Sequence, residues 1–155
     1  MTQTTVGFSP TPTLYRLQWQ EGPRTGQHEY VRCGADLLLS GLTGDLEAEA
    51  RCPICGNFTR MTIVARKIHV LEPREALLHV VEMPNESGWF WIECEGTHIF
   101  DKQACLQKWV STYKGKQGLV TSIEKYHDLI VRRRTDPKKI VPITGNGSHH
   151  GPAII

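Results

Sequence analysis

The first two thirds of the chain consist mainly of short runs in which apolar and polar residues alternate or β-branched and aromatic residues dominate. This pattern is typical of β-strands with one face buried. Glycine, proline and asparagine separate the runs and predict turns, most clearly at 21–26 and 84–88. The predicted strands lie at residues 14–20, 28–32, 46–51, 58–65, 68–71, 77–83 and 89–92.

Three other segments carry apolar residues at the spacing of a helix. The first is predicted at 33–42. Asp101 is expected to cap the second, and Thr121 with Glu124 has the form of a capping box that opens the third. The apolar stripes of the last two helices are Cys105, Leu106, Trp109, Val110 and Tyr113, and Ile123, Tyr126, His127 and Ile130.

The order of these elements predicts an α+β fold. We expect a mostly antiparallel sheet, with an active-site helix near the N-terminus and two C-terminal helices packed on it. Residues 1–135 are predicted to form one domain, because 155 residues suffice for a single substantial core. Residues 136–155 are rich in glycine, serine and histidine and are predicted to be a flexible tail.

Composition and charge argue against several classes of partner. The formal net charge of +2 is too small to indicate nucleic acid, and the basic run at 132–139 is interpreted as a solvated face. No apolar stretch is long enough to span a bilayer, and the first residues lack the features of a secretory signal, so no membrane partner is expected. Five cysteines, an odd number, favour a cytoplasmic protein with free or metal-bound thiols.

Cys33 and Asp36 are the first candidates for chemistry, together with the distant Cys94. Residues three apart share one face of a helix, so the thiol and the carboxylate are expected to lie side by side. A thiol at a helix N-terminus is biased toward thiolate by the helix dipole. Two sulfurs and one acid suit soft-metal chemistry with a proton transfer, whereas the plainer alternative is that both cysteines are buried as small apolar residues.

Cys52 and Cys55 form a second cysteine signal, a CxxC followed by Gly56. This spacing resembles half of a zinc knuckle, in which both sulfurs reach one tetrahedral ion. A redox or metal-relay pair and a turn with two unligated thiols are the alternatives. A complete zinc site needs further ligands, and the candidates are Cys94, Cys105, His69, His79, His98 or a second chain across a homodimer.

Several short motifs resemble, in order and spacing, the catalytic domain of the organomercurial (alkylmercury) lyase family. The resemblance covers about residues 7–130, and we expect the catalytic domain alone, without the N-terminal helical domain of the family. The matching motifs are GFSPTPT at 7–13, YxxCxxDxL at 30–38, CxxxG at 52–56, VLEP at 70–73, CxxxHxF at 94–100, Trp109 and GL at 118–119.

The resemblance implies an enzyme of mercury resistance that cleaves a carbon–mercury bond by protonolysis. Cys33 would be the first thiolate to capture the organomercurial and Cys94 the second, while Asp36 would take a thiol proton and deliver it to the carbon. Hg(II) would remain as bound product until small thiols or a metal-accepting protein remove it. No organic cofactor is implied.

Two other functions remain open. The extra CxxC favours a non-catalytic thiol protein that binds Hg, Cu or Zn. Arg32 stands where the family commonly has an aromatic residue, and Glu93 and Glu95 flank Cys94. These charged neighbours favour a relative recruited to a different cysteine-dependent reaction.

Overall fold

A six-stranded antiparallel sheet contains most of the first half of the chain. The computed structural model describes residues 8–84, 90–135 and 153–154. Within the sheet the strand order is β1-β3-β2-β4-β5-β6, and every neighbouring pair is antiparallel. The strands are β1 (Phe8–Ser9), β2 (Tyr15–Trp19), β3 (His28–Val31), β4 (Leu46–Arg51), β5 (Phe58–Val64) and β6 (Lys67–Glu72).

Sequence alternation fixes which face of this sheet is buried. In β2 the side chains of Tyr15, Leu17 and Trp19 are all buried, and the residues between them are partly exposed. β5 and β6 are joined by Ala65 and Arg66, which both have positive φ angles, 51° and 63°. This is the backbone that a two-residue hairpin turn requires.

The described residues also form a second sheet of four strands and a separate two-stranded ribbon. The second sheet has the order β10-β7-β11-β12, with β11 and β12 parallel. The ribbon pairs β8 with β9. The strands of the second sheet are β7 (Leu77–Val80), β10 (His98–Phe100), β11 (Leu119–Ser122) and β12 (Ala153–Ile154), and those of the ribbon are β8 (Glu82–Pro84) and β9 (Phe90–Ile92).

The strand predicted at 77–83 is therefore two strands, β7 and β8, in two different sheets. They separate at Val81, whose amide donates to the Thr97 hydroxyl and whose carbonyl accepts from the Glu93 amide. Glu93 and Thr97 flank the turn Cys94–Gly96, so the break between β7 and β8 helps to hold the segment that carries Cys94.

In the described part of the chain three α-helices pack on the sheets, as the α+β prediction requires. They are α1 (Gly34–Ser40), α2 (Gln103–Thr112) and α3 (Ile123–Thr135). Every residue of α1 is buried, and the helix contacts β2, β3 and β10, so it lies in the main core between the sheets. No helix in the described ranges is long and apolar enough to cross a membrane.

Two predicted helix caps are wrong. Lys102, not Asp101, occupies the N-cap position of α2, because the Asp101 carboxylate is bonded elsewhere. At α3 the Ser122 hydroxyl accepts from the Lys125 amide, so the cap lies one residue beyond the predicted Thr121. The tail predicted at 136–155 lies outside the described residues except for β12, and its flexibility stays a prediction.

A buried ion pair ties α3 to the ribbon. The Arg133 guanidinium donates from Nη1 to Glu82 Oε2 at 2.8 Å and from Nη2 to Oε1 at 3.2 Å. The Tyr126 hydroxyl donates to Glu82 Oε2 at 2.6 Å. All three side chains are buried. The positive charge of Arg133 and the negative charge of Glu82 therefore neutralise each other inside the protein.

Candidate active site

Cys33 stands at the entrance of α1, directly after β3. It is the N-cap residue, with an extended backbone, and the Asp36 amide donates to its carbonyl at 3.1 Å. Gly34 follows it, and a Cβ there would lie 2.7 Å from the Ile99 side chain. Any side chain at Gly34 would collide with Ile99, so glycine allows α1 to pack closely against β10. The first turn of α1 consequently lies beside the segment that precedes β10.

Cys94 opens a short 3₁₀ turn, Cys94–Gly96, just before β10. Three polar contacts hold the turn. The Thr97 hydroxyl donates to the Glu93 carbonyl at 2.9 Å, and the Thr97 amide donates to the Cys94 carbonyl at 3.1 Å. His79 Nδ1 lies 2.6 Å from the carbonyl oxygen of Gly96, the last residue of the turn.

The two elements bring Cys33, Asp36 and Cys94 together. The two sulfurs lie 3.0 Å apart, and Cys94 Sγ lies 3.6 Å from Asp36 Oδ2. One ligand atom from each residue lies within 4.8 Å of the others, and both cysteines are free thiols. This arrangement can present two sulfurs and one carboxylate to a single thiophilic atom.

Burial differs among the three residues. Cys33 is 0% exposed and Asp36 2% exposed, whereas Cys94 is partly exposed. Arg32 and Glu95, the charged neighbours in sequence, are both exposed to solvent. The carboxylate and the first sulfur are therefore inside the protein, and Cys94 is the member of the cluster that borders solvent.

The helix N-terminus predicts a lowered pKa for Cys33, but its pKa is raised well above the usual value. The hydrogen bond with Cys94 is the largest cause, followed by burial and by the charge of Asp36. The Asp36 amide opposes this shift without outweighing it. Burial, the hydrogen bond with Cys94 and the charge of Asp36 therefore disfavour the thiolate form of Cys33.

The CxxC pair lies in a second cluster, away from Cys33. Cys52, Cys55, Asp101 and Cys105 each offer one ligand atom, and these atoms all lie within 4.8 Å of one another. Cys55 Sγ lies 3.1 Å from Asp101 Oδ1, and the Asn57 amide donates to Asp101 Oδ2 at 3.1 Å. Of the ligand candidates that the sequence offers, Cys105 is the one that joins the pair. Asp101, which the sequence predicts as a helix cap, is the fourth member of the cluster.

The sequence profile of the MerB family, described as alkylmercury lyase, matches residues 8–133. The chain belongs to the alkylmercury lyase family. Its fold is similar to that of "the mercury-bound form of MerB2" in a crystal structure, with a TM-score of 0.62 and 22% sequence identity. The alignment covers 83% of this chain and 61% of that one, so the chain spans about three fifths of the length of its structural relative. Comparison with curated proteins gives no match.

In this family member Tyr15 lies within electrostatic reach of both clusters. Its hydroxyl accepts the Ile99 amide at 3.3 Å and lies 2.6 Å from His98 Nδ1. Burial raises the pKa of Tyr15 well above its usual value, and the charges of Cys33, Cys52 and Cys94 add to that rise. Sequence analysis missed Tyr15, although its position on the buried face of β2 was visible in the alternation.

His79 helps to position the turn that carries Cys94. The Gly118 amide can only donate, so Nε2 of His79 accepts it at 3.1 Å and Nδ1 carries the proton that is donated to the Gly96 carbonyl. The neutral ring therefore satisfies both partners. His69 and His98, which were also considered as zinc ligands, lie outside both clusters, as does His79.

The free energy of unfolding is expected to fall as the pH drops below about 6.5, the pKa of histidine in an unfolded chain. Burial lowers the pKa of His79. Below a pH of about 6.5 the unfolded chain therefore binds a proton at this ring more readily than the folded chain does. The free energy of unfolding therefore decreases as the pH is lowered, by at most about 1.4 kcal/mol per pH unit for each such histidine. Urea unfolding at several pH values measures this slope.

His79→Gln is expected to reduce the acid slope, and the exposed His28→Gln is its matched control. Burial also lowers the pKa of His98 and His127, so a residual slope of the same sign should remain in the variant. An unchanged slope in His79→Gln would show that this ring is protonated as readily in the folded chain as in the unfolded one.

Proposed function

We propose that this chain cleaves the carbon–mercury bond of small organomercurials by protonolysis. The observation that carries the proposal is the group of two free thiols and one carboxylate, whose ligand atoms lie within 4.8 Å of one another. Thiolates are the preferred protein ligands of soft ions, and a buried carboxylate beside them can move a proton. Membership of the alkylmercury lyase family supports the same reaction class.

Cys94 makes the first bond to mercury in this proposal, the reverse of the order expected from the family resemblance. Cys94 is partly exposed, whereas Cys33 is fully buried. An organomercurial that arrives as a complex with a small thiol would exchange that thiol for Cys94. The proton of Cys94 leaves with the released thiol.

Cys33 and Asp36 then complete the reaction. As the Cys33 sulfur binds mercury, its proton passes to the Asp36 carboxylate, and Asp36 delivers it to the carbon as the carbon–mercury bond breaks. Overall, the two cysteine thiols and one R–Hg–thiolate complex become one hydrocarbon, one Hg(II) bound by two cysteine thiolates, and one small thiol. Asp36 ends as it began, a general acid–base catalyst.

The bound Hg(II) must be removed before another turnover, and we propose that small thiols or a metal-accepting protein take it. Both clusters hold free thiols, which is consistent with the reducing cytoplasm. Each cluster is supplied by one chain, so the proposal does not require a homodimer.

A second candidate function is thiol-based binding of Hg, Cu or Zn without cleavage. The observation that favours it is the second group of three cysteines and one aspartate, which shares no residue with the first. The zinc expected at Cys52 and Cys55 would belong to that group. The two functions are separable, because cleavage requires Asp36 and binding does not.

Purified protein incubated with an arylmercury compound and excess thiol is expected to release the arene, measured by gas chromatography. Cys94→Ser should reduce this release to the background of thiol alone, because serine is a poor ligand for mercury. Circular dichroism would verify that the variant is folded. Wild-type protein that binds Hg(II) but releases no arene would favour the binding function, and full activity in Cys94→Ser would contradict the proposed role.

A further inference from the structure

We propose that Cys52, Cys55, Cys105 and Asp101 form a structural zinc site that shares no residue with the cluster of Cys33, Asp36 and Cys94. Their ligand atoms lie within 4.8 Å of one another. Four ligands around zinc, with a Zn–S distance of about 2.3 Å, are separated by about 3.8 Å in a tetrahedron. Small shifts of these side chains, with Cys55 and Asp101 moving slightly apart from 3.1 Å, would therefore enclose one ion.

The turn between β4 and β5 has the shape that a two-cysteine zinc ligand needs. The Gly56 amide donates to the Cys52 carbonyl at 3.0 Å, and the Cys52 amide donates to the Asn57 carbonyl at 2.9 Å. Gly56 has a φ of 78°, which glycine adopts without strain. Both sulfurs of the CxxC are consequently held on one side of a closed turn.

The other two ligands come from the junction of β10 and α2. Asp101 and Cys105 are buried, as is Cys52, and the neighbouring core residues Phe100 and Leu106 are apolar. A charged group in such surroundings needs a partner. A divalent cation bound by all four residues would compensate the carboxylate and the thiolates together.

Asn57 supports this assignment as a residue of the outer shell. Its side-chain amide donates to Asp101 Oδ2, while Asp101 Oδ1 faces Cys55. One carboxylate oxygen is thus oriented by the protein, and the other is directed at the thiols. This is the arrangement by which a metal-ligating carboxylate is usually fixed.

Four protein ligands, three of them buried, describe a closed site, and closed zinc sites are structural rather than catalytic. The ion would fasten the β4–β5 turn of the six-stranded sheet to the start of α2. β10 lies between α2 and the 3₁₀ turn of Cys94, so the same ion would stabilise the position of Cys94 relative to Cys33. Sequence alone offered the CxxC, and the fold supplies the two missing ligands.

Zinc content measured by mass spectrometry, on protein prepared with zinc and reductant and then desalted, tests the proposal. Wild-type protein is expected to hold about one zinc per chain. Cys55→Ser and Cys105→Ala should lose most of it, and Cys94→Ser, the matched control in the other cluster, should retain it. Cys55 is exposed, so its replacement by serine tests the metal without disturbing the core.

Cobalt substitution gives a second measurement that does not depend on yield or folding of one variant. Wild-type protein titrated with Co(II) should show the intense visible absorption of a tetrahedral site and sulfur-to-metal charge transfer, both weakened in Cys55→Ser. A chelator should lower the Tm of zinc-loaded wild-type protein and leave that of Cys55→Ser unchanged.

Wild-type protein without zinc and without the tetrahedral cobalt spectrum would overturn the proposal. So would zinc that persists in Cys55→Ser and Cys105→Ala but is lost in Cys94→Ser. A zinc-free chain that still releases arene would refute the zinc site alone, and a zinc-loaded chain that releases none would refute the lyase function alone.

Discussion

Asp36→Asn is expected to lower the rate of hydrocarbon release by about 10²- to 10⁴-fold, the usual contribution of a positioned acid–base group. The amide is close in size to the carboxylate but cannot accept the Cys33 proton and return it to carbon. Binding of Hg(II) should be retained, because Cys33 and Cys94 supply its sulfur ligands. Arene release and mercury stoichiometry, measured on the same preparation, separate the two effects.

Asp128→Asn is the matched control, because Asp128 is an exposed carboxylate on α3. It should release arene at the wild-type rate. Wild-type release by Asp36→Asn would mean that the proton reaches carbon by another route. Loss of mercury binding as well as release would mean that Asp36 acts mainly as a ligand or a structural residue.

Arg133→Met is expected to lower the free energy of unfolding by about 3–5 kcal/mol, because breaking a buried pair leaves one charge uncompensated. Glu82 is then buried with the Tyr126 hydroxyl as its remaining bond from this network. Urea denaturation measures the change. The double variant Glu82→Leu with Arg133→Met should recover much of the loss, because it removes both charges.

The exposed pair of Arg16 and Glu49 provides the control for this experiment. Its side chains are 42% and 27% exposed, so Arg16→Met should cost no more than about 1 kcal/mol. A similar small loss in Arg133→Met would show that water reaches Glu82 in the folded protein. Failure of the double variant to recover stability would show that packing, rather than charge, dominates at this position.

The sequence alone determined those features of the fold and of the site that depend on residues close together along the chain. Alternation placed five strands of the six-stranded sheet within one or two residues, because a half-buried strand must alternate whatever it packs on. It did not predict the two-residue strand β1. The spacing of Cys33 and Asp36 likewise predicted two neighbouring functional groups. The family motifs identified Cys94 as their partner, although its distance from them could not be derived from spacing.

Only the tertiary structure decided how the distant residues meet. Cys94 lies 61 positions from Cys33, and their contact depends on the close approach that Gly34 allows and on the hydrogen bonds that hold the 3₁₀ turn. Asp101 likewise lies beside cysteines that are distant in sequence. Cys52 and Cys55 come from the turn between β4 and β5, and packing of that turn against the start of α2, rather than local propensity, makes them its neighbours.

The protonation of Cys33 shows most clearly what tertiary structure adds. A helix N-terminus favours thiolate, and the Asp36 amide lowers the pKa of Cys33 in this sense. Its hydrogen bond with Cys94, its burial and the charge of Asp36 raise the pKa of Cys33 instead. These larger effects come from packing, and packing depends on residues that are distant along the chain.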